Sequence, residues 1–279
     1  MSEDVRADQQ RYWEASSQPW GEGAEAFGRI ARPVTEGLLA AARLNPGQRV
    51  LELGAGPGEV GIQAAERVAP DGEVLVTDAV EGMVALARER TAGTAGVEVR
   101  REDAEAIDQP AASFDAVLSR WGLMFTVDPE APFRECRRVL RPGGRLALAV
   151  WAPPAENPWF SVPGRELLEQ GLTEPPPPGD NPGPFRFAAP GRLRGLLAGA
   201  GFDEVEVAPL PFSARFRSFD EIWELKLSLS NGLRDALALT HEEGARALRA
   251  GIERGYAPYQ TGDGGYEVPL VALLGSATA

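Results

Sequence analysis

The stretch RVLELGAGPGEVGIQAAERV, residues 49–68, decides the fold. An apolar run is followed by three spaced glycines, Gly54, Gly56 and Gly58, and then by apolar residues at helical spacing. This order predicts a strand, a tight loop and a helix. Glycine allows the backbone to approach a ligand closely, and the start of a helix points free N–H groups at the same place. The stretch therefore predicts a ligand-binding loop at the end of a strand.

The same alternation of strand and helix continues after this loop. Short apolar runs are separated by helical patterns, and RPGG at 141–144 predicts a turn that stops one helix before the next strand. Alternating strands and helices predict a parallel sheet. The further strands predicted from these runs are EVLVTD (73–78), VEVRRED (97–103), FDAVLS (114–119) and RLALAVW (145–151).

The second half of the chain is less regular. Residues 152–190 are so rich in proline that we expect no regular structure there, only an insertion or a loop over the site. Regular patterns then return as a helix at 190–202, a strand at 205–212 that continues towards Phe216, a helical segment from 219 to 250 and a last strand at 266–277. This last strand is expected to lie beside the previous one.

Composition excludes several classes of protein. The net charge of −13 would repel a phosphate backbone, so we expect no nucleic-acid partner. No apolar run approaches the roughly 20 residues of a membrane span, and the polar, acidic first 20 residues do not resemble a secretory signal, so we expect a cytoplasmic protein without a membrane partner. Cys136 is the only cysteine, which leaves no intramolecular disulfide and no cysteine-rich metal cluster. The sequence leaves homodimerisation open.

The glycine loop alone does not identify its ligand. Gly56, Gly58 and Gly61 also fit the G-x-G-x-x-G spacing of dinucleotide-binding proteins, so an NAD(P)-dependent oxidoreductase is one alternative. Acids at the ends of the neighbouring strands add information. Asp78 ends the second predicted strand, where a carboxylate can accept both hydroxyls of a ribose, and Asp103 ends the third.

Taken together, E-x-G-x-G-x-G, the Asp78 strand end, Asp103-Ala104-Glu105, FDAVLSR and LRPGGRLALAVW resemble the class I S-adenosylmethionine-dependent methyltransferases, nearest to the small-molecule branch of quinone biosynthesis. The resemblance implies a doubly wound α/β fold with a mostly parallel seven-stranded sheet, an antiparallel end hairpin and helical insertions that cap the substrate. It implies one methyltransferase domain over residues 1–279. Its expected parts are an N-terminal helical cap (1–48), a cofactor-binding core (49–151), the proline-rich insertion (152–190) and a C-terminal half (191–279) with a helical insertion at 218–262.

The resemblance also implies a cofactor site for S-adenosylmethionine. The methionine part would be surrounded by the glycine loop and by residues at the end of the fourth strand, the ribose would be held by Asp78, and the adenine would lie against the next loop. In that order, the residues implied are Glu52, Gly54, Ala55, Gly56, Gly58, Ser119 and Arg120 for the methionine part, Asp78 for the ribose, and Ala79, Met83, Asp103 and Ala104 for the adenine.

The acceptor is expected to be a small, partly hydrophobic organic molecule, held by residues 1–35, 152–190 and 213–262. Trp121, just after the fourth strand, and Trp20, in the predicted cap, are the candidate acceptor contacts. No general base is evident. His241, the only histidine, is a candidate, against the alternative that it simply begins an exposed helix. A cofactor-binding protein without transferase activity is the second alternative.

Overall fold

The computed structural model describes residues 2–175 and 180–279, and within them a single seven-stranded sheet is flanked by helices. The strands are β1 (Arg49–Leu53), β2 (Glu73–Asp78), β3 (Val97–Arg101), β4 (Phe114–Arg120), β5 (Leu140–Trp151), β6 (Asp203–Phe216) and β7 (Tyr266–Thr278). The helices are α1 (Ser2–Ala42), α2 (Glu59–Val68), α3 (Glu81–Thr91), α4 (Ala131–Val139), α5 (Pro158–Glu169), α6 (Pro190–Gly199), α7 (Phe219–Leu229), α8 (Asn231–Ala238) and α9 (Glu242–Tyr256).

The strand order is β3-β2-β1-β4-β5-β7-β6, with β3 to β5 parallel and β7 antiparallel to both of its neighbours. This confirms the predicted fold class, including the antiparallel end hairpin. The chain adds β2 and β3 on one side of β1 and then β4 and β5 on the other, and this change in strand order places a crevice at the carboxyl ends of β1 and β4, the usual ligand position in open α/β sheets.

The central strands of the sheet are buried on both faces because their side chains alternate between two clusters. Val50 packs with α2 and the C-terminal part of α1, whereas its neighbour Leu51 packs on the opposite face with the group that contains α4. A strand buried on both faces is apolar along its whole length. This explains why the apolar runs of the sequence located β1, β2 and β4 so well.

The structure corrects three predictions. Residues 152–190 are not without regular structure: Pro158 begins α5, which continues past Pro163 to Glu169. The RPGG segment does not separate a helix from a strand but lies inside β5, where it forms an irregularity with Gly143 at φ +79°. The strand predicted over 97–103 ends at Arg101, so Asp103 lies in the loop beyond it. Part of the proline-rich run, residues 176–179, lies outside the described residues.

No helix in the described ranges is long and apolar enough to cross a membrane.

Candidate active site

A cavity of about 860 Å³ lies at the carboxyl ends of the parallel strands. Its floor comes from the loops after β1 to β4 and from the end of β5, and its walls come from α1, α5, α7 and α8. All three segments expected to hold the acceptor reach it: residues 6–27, 159–184 and 226–233 contribute lining residues. The cavity is therefore bounded by the sheet on one side and by helices from the variable segments on the other.

The backbone of the glycine loop lies against the backbone of the loop that follows β4. Gly54 has φ +60°, and a Cβ atom built on it would lie 2.9 Å from the Cα atom of Gly122. A side chain at position 54 would be both strained and in collision. Gly54, Ala55 and Gly56 line the cavity, as predicted from the sequence. Gly58 does not line it, and its backbone, at φ +77°, begins α2.

Asp78 lies where β2 ends, with its carboxylate in the cavity wall. The backbone N–H of Gly56 donates to Oδ2 at 2.9 Å, and that of Val80 donates to Oδ1 at 3.2 Å. Burial raises the pKa of this carboxyl even though these donors favour the ionised form. No basic side chain pairs with it among the residues that the structure describes. Asp78 is thus a held acceptor with lone pairs left for a ligand.

Asp103 and Ala104 also line the cavity, on the side of Ala79 and Met83. Arg6 of α1 donates to Asp103 Oδ2 at 2.6 Å and to Glu105 Oε2 at 2.7 Å, so the first turns of α1 are tied to this loop. A carboxylate has about four acceptor positions, so Asp103 retains capacity for another donor.

Two unpartnered acceptor atoms lie in the same part of the wall. Oε2 of Glu102 and Oε1 of Gln9 are buried and accept no hydrogen bond from the described part of the chain. A buried acceptor without a donor is costly unless a ligand supplies one. The amino group of an adenine and the hydroxyls of a ribose are such donors, so this region fits an adenosine group. Neither Glu102 nor Gln9 stood out in the sequence.

Glu52 and Ser119 lie behind the cavity wall rather than in it. Glu52 is 1% exposed, and its Oε2 has no hydrogen-bond partner in the described residues. Burial raises its pKa to about 8, against the opposing field of Arg120. The Ser119 hydroxyl donates to the carbonyl of Leu53 at 2.9 Å and so joins β4 to β1.

Arg120 reaches the cavity from the end of β4. It pairs with Glu59 at 2.9 Å and donates to the hydroxyl of Thr35, and its guanidinium lies 5.5 Å from the ring centroid of Trp121. Glu59 stands in the first turn of α2, and the N–H of Gly56 already donates to Asp78. The glycine loop therefore faces the cavity with carboxylates rather than with free N–H groups. This suits a cationic sulfonium and disfavours a pyrophosphate.

Opposite the loop lies an aromatic wall, which we define as Trp20, Phe27, Trp121, Trp151 and Phe160. Trp121 stacks on Trp151, with ring centroids 4.2 Å apart and planes 5° apart. Phe160 packs on Trp151 at 5.0 Å, and Phe27 bridges Trp121 and Trp20 at 5.3 Å each. The two predicted acceptor contacts thus lie in one continuous surface. The Trp121 Nε1–H is buried and has no acceptor among the described residues.

Lys226 of α7 lines the far end of the aromatic wall and was not singled out from the sequence. It is the chain's only lysine among 28 basic residues, which is the signal that could have drawn attention to it. His241, in contrast, is exposed at the start of α9 and does not line the cavity. In residues 2–175 and 180–279, no group of three or more His, Cys, Asp or Glu residues is arranged to hold a metal ion.

Comparisons with known proteins point in the same direction. A family profile described as "Methyltransferase domain" matches residues 50–144. Nocamycin O-methyltransferase of Saccharothrix syringae is 32% identical over 252 residues, covering 86% of this chain and 87% of that protein. The ubiquinone/menaquinone biosynthesis C-methyltransferase UbiE of Xanthomonas campestris is 37% identical over 126 residues, 44% of this chain and 49% of that protein.

Among solved structures, the YcgJ protein of Bacillus subtilis has the same fold, with a TM-score of 0.56 at 19% identity over 88% of this chain and 97% of the other. The similarity to the relative from Saccharothrix syringae extends well beyond the residues 50–144 that match the family profile. The glycine loop, the acids of the cavity and this full-length similarity agree, and the chain belongs to the class I S-adenosylmethionine-dependent methyltransferases.

Proposed function

We propose that this enzyme transfers the methyl group of S-adenosylmethionine to a small, partly hydrophobic organic acceptor by in-line displacement. The observation that carries the proposal is one cavity with two unlike halves. The half at the ends of β1 to β3 carries acids and glycines, and the half formed by the ends of β4 and β5 together with α1 and α5 carries the aromatic wall. A cofactor and an acceptor bound in these halves would face each other without intervening water.

For the cofactor half, we propose that Asp78 accepts the ribose hydroxyls while Gly54 to Gly56 leave room for the methionine part. Ala79 and Met83 would flank the adenine, with Asp103, Ala104 and the unpartnered Oε2 of Glu102 at its polar edge. Glu52 stands behind the loop, where it is 1% exposed and supports β1 rather than contacting the cofactor directly. Among the residues that the sequence implied, Ser119 positions the strands and Arg120 holds Glu59 beside the loop.

S-adenosylmethionine supplies a methyl carbon already activated by its sulfonium sulfur. The chain's own contribution is alignment and the exclusion of water, because holding reactants in line can replace a large part of the entropic cost of reaction. Trp121 is central to this. It follows β4 directly, it touches both Trp151 and Phe27, and its free Nε1–H can hold a polar atom of the acceptor.

The acceptor class is proposed from the wall and from two relatives. Flat, apolar rings favour a conjugated or aromatic organic molecule over a protein or a nucleic acid. The relatives named above are described as an O-methyltransferase and a C-methyltransferase, which leaves oxygen and carbon as candidate methylated atoms.

A turnover assay tests the proposal. The purified enzyme is incubated with S-adenosylmethionine and a panel of phenolic, enolic and carboxylic aromatic compounds, and S-adenosylhomocysteine and methylated products are measured by mass spectrometry. We expect acceptor-dependent formation of S-adenosylhomocysteine together with a product one methylene heavier. Tight binding of S-adenosylhomocysteine without turnover on any acceptor would instead favour a non-catalytic binding protein.

A further inference from the structure

Lys226 lies in a setting that a lysine rarely occupies. The residue is only 4% exposed, although it belongs to the lining of the cavity. Its Nζ atom lies 3.4 Å from the ring centroid of Trp159 and 5.3 Å from that of Phe160. Buried cations are normally paired with a carboxylate. No carboxylate lies within ion-pair distance of Nζ in the part of the chain that the structure describes.

In the described residues, Nζ donates a hydrogen bond to a backbone carbonyl of α5, and a proline in α5 explains why this carbonyl is free to accept it. Pro163 has no N–H, so the carbonyl four residues earlier in α5, that of Trp159, lacks its helical donor. Lys226 donates to this carbonyl, and the Tyr256 hydroxyl donates to it as well, at 3.3 Å. An ammonium group has three donors, so the contact leaves further donors for a ligand in the cavity.

The other charges near α5 do not neutralise Lys226. Glu166 lies against Gly251 of α9, and Arg165 lies near Gly255 of the same helix, so both side chains face α9. Tyr256, whose hydroxyl shares the Trp159 carbonyl with Lys226, is fully buried, and burial raises its pKa. Burial lowers the pKa of Lys226 well below its ordinary value, with no charged partner opposing the effect.

The amine is separated from the glycine loop by three rings. Trp121 lies next to Gly122, which touches Gly54, and Trp151 and Phe160 follow in contact before Lys226 is reached. A flat acceptor lying along these rings would place one end at the glycine loop and the other at Nζ.

We propose that Lys226 binds an acidic oxygen, most simply a carboxylate, at the end of the acceptor away from the methyl donor. The inference rests on the proposed function and names its acceptor class: a conjugated or aromatic molecule that carries an acid. When an ionised acid binds, Nζ takes up a proton from the solvent: an O–H bond of a hydronium ion breaks and an N–H bond forms on Nζ, which leaves an ammonium–carboxylate pair. The carboxylate of the acceptor then balances the charge of the Lys226 ammonium, which no carboxylate of the described residues pairs with.

The test compares two probes of nearly the same shape, 2-naphthoate and 2-naphthamide, in the presence of saturating S-adenosylhomocysteine. Calorimetric titrations are made with the parent enzyme, with Lys226→Met and with Arg246→Met. Arg246 is an exposed cation of α9 that pairs with Glu242, so its variant controls for net charge. We expect the parent and R246M to prefer naphthoate by about tenfold or more, and K226M to bind both probes about equally.

A purely structural role for Lys226 would lower stability in K226M without changing the ratio of the two affinities. An unchanged ratio therefore overturns the proposal, and so does the absence of measurable naphthoate binding to the parent. S-adenosylhomocysteine binding, measured on the same samples, separates this outcome from failure of the proposed function.

A second readout needs no variant. Because the chain has one lysine, labelling with ¹⁵N-lysine gives a single side-chain Nζ signal. Naphthoate should convert this signal to that of an ammonium group, whereas naphthamide should not. An Nζ signal that responds alike to both probes contradicts the proposal.

Discussion

Asp78 is the residue on which the cofactor site depends most. Its carboxylate is fixed by the N–H groups of Gly56 and Val80, so it is ready to accept from a ligand without rearrangement. We expect Asp78→Ala to weaken S-adenosylhomocysteine binding by about 3 kcal/mol or more, at least a hundredfold, since two hydrogen bonds to a charged acceptor are lost. Calorimetric titration measures the change, with Asp71→Ala, an exposed aspartate in the turn before β2, as the control.

The ribose is the same before and during methyl transfer, so the loss in D78A should appear in KM for the cofactor rather than in kcat. A folded D78A that binds S-adenosylhomocysteine as tightly as the parent would show that the ribose lies elsewhere.

Glu52 makes stability depend on pH. In the folded protein burial raises the pKa of this carboxyl from 4.5 to about 8, so between these values the unfolded chain binds fewer protons than the folded one. The free energy of unfolding contributed by Glu52 therefore falls as pH rises through this window, by up to about 1.4 kcal/mol per pH unit. Glu52→Gln removes the titration.

Urea unfolding at pH 5.0 and at pH 7.5 tests this. We expect E52Q to gain about 2–3 kcal/mol relative to the parent between the two pH values, because only the parent loses stability there. Glu66→Gln, at an exposed position of α2, should show no such gain. A difference between E52Q and the parent that is independent of pH would contradict the account.

Residues differ in how far the sequence could identify them. Asp78 was predictable because it ends a strand whose apolar pattern is unmistakable, and the carboxyl ends of parallel strands meet at one edge. Lys226 could not be predicted as a site residue, because a lone lysine in a helical segment is normally a solvated cation on the surface. Its contact with Trp159 of α5 depends on a tertiary arrangement that the sequence does not display.

The first helix closes over the side of the cavity that we propose for the adenine, and Arg6 links the helix to the loop after β3. Arg6 bonds Asp103 and the nearly buried carboxylate of Glu105, which also accepts from the N–H of Val127. We expect Arg6→Ala to speed amide hydrogen exchange in the first turns of α1 and to raise the dissociation rate of S-adenosylhomocysteine.

Because Arg6 and Asp103 are both substantially exposed, the free energy of unfolding should change in R6A by less than about 1 kcal/mol. Arg11→Ala, which removes an exposed pair with Asp8 in the same helix, serves as the control. Equal exchange protection in R6A, R11A and the parent would mean that Arg6 does not hold the helix closed.

Secondary structure elements were predictable where local pattern and tertiary role agree. The predicted bounds of β2 match the structure, because Val74 and Val76 face one cluster and Leu75 the other. Helix α5 was missed because prolines normally end a helix. Here Pro158 stands in the first turn, where its missing N–H costs nothing, and the carbonyl freed by Pro163 is satisfied by α7 and α9.

At the level of the whole molecule, the sheet holds one half of the cavity and the helices of the variable segments hold the other. This division explains why the strand-end residues proposed for the cofactor could be predicted from the core motifs, whereas most helical residues of the acceptor half, which come from three distant segments, could not. The net charge of −13 agrees with a small-molecule acceptor rather than a nucleic acid. A cytoplasmic location stays a prediction from the sequence alone, and homodimerisation stays open.

The central claim is that the cavity binds S-adenosylmethionine and not a nicotinamide dinucleotide. The most direct test is thermal unfolding of the enzyme with and without each of these ligands. A ligand at 100 times its dissociation constant adds about 2.7 kcal/mol to the folded state, which for a chain of this size raises Tm by roughly 5–10 °C. We predict such a rise with S-adenosylmethionine and with S-adenosylhomocysteine, and none with NADH or NADPH. A rise with a nicotinamide nucleotide, together with no response to S-adenosylhomocysteine, would contradict the account.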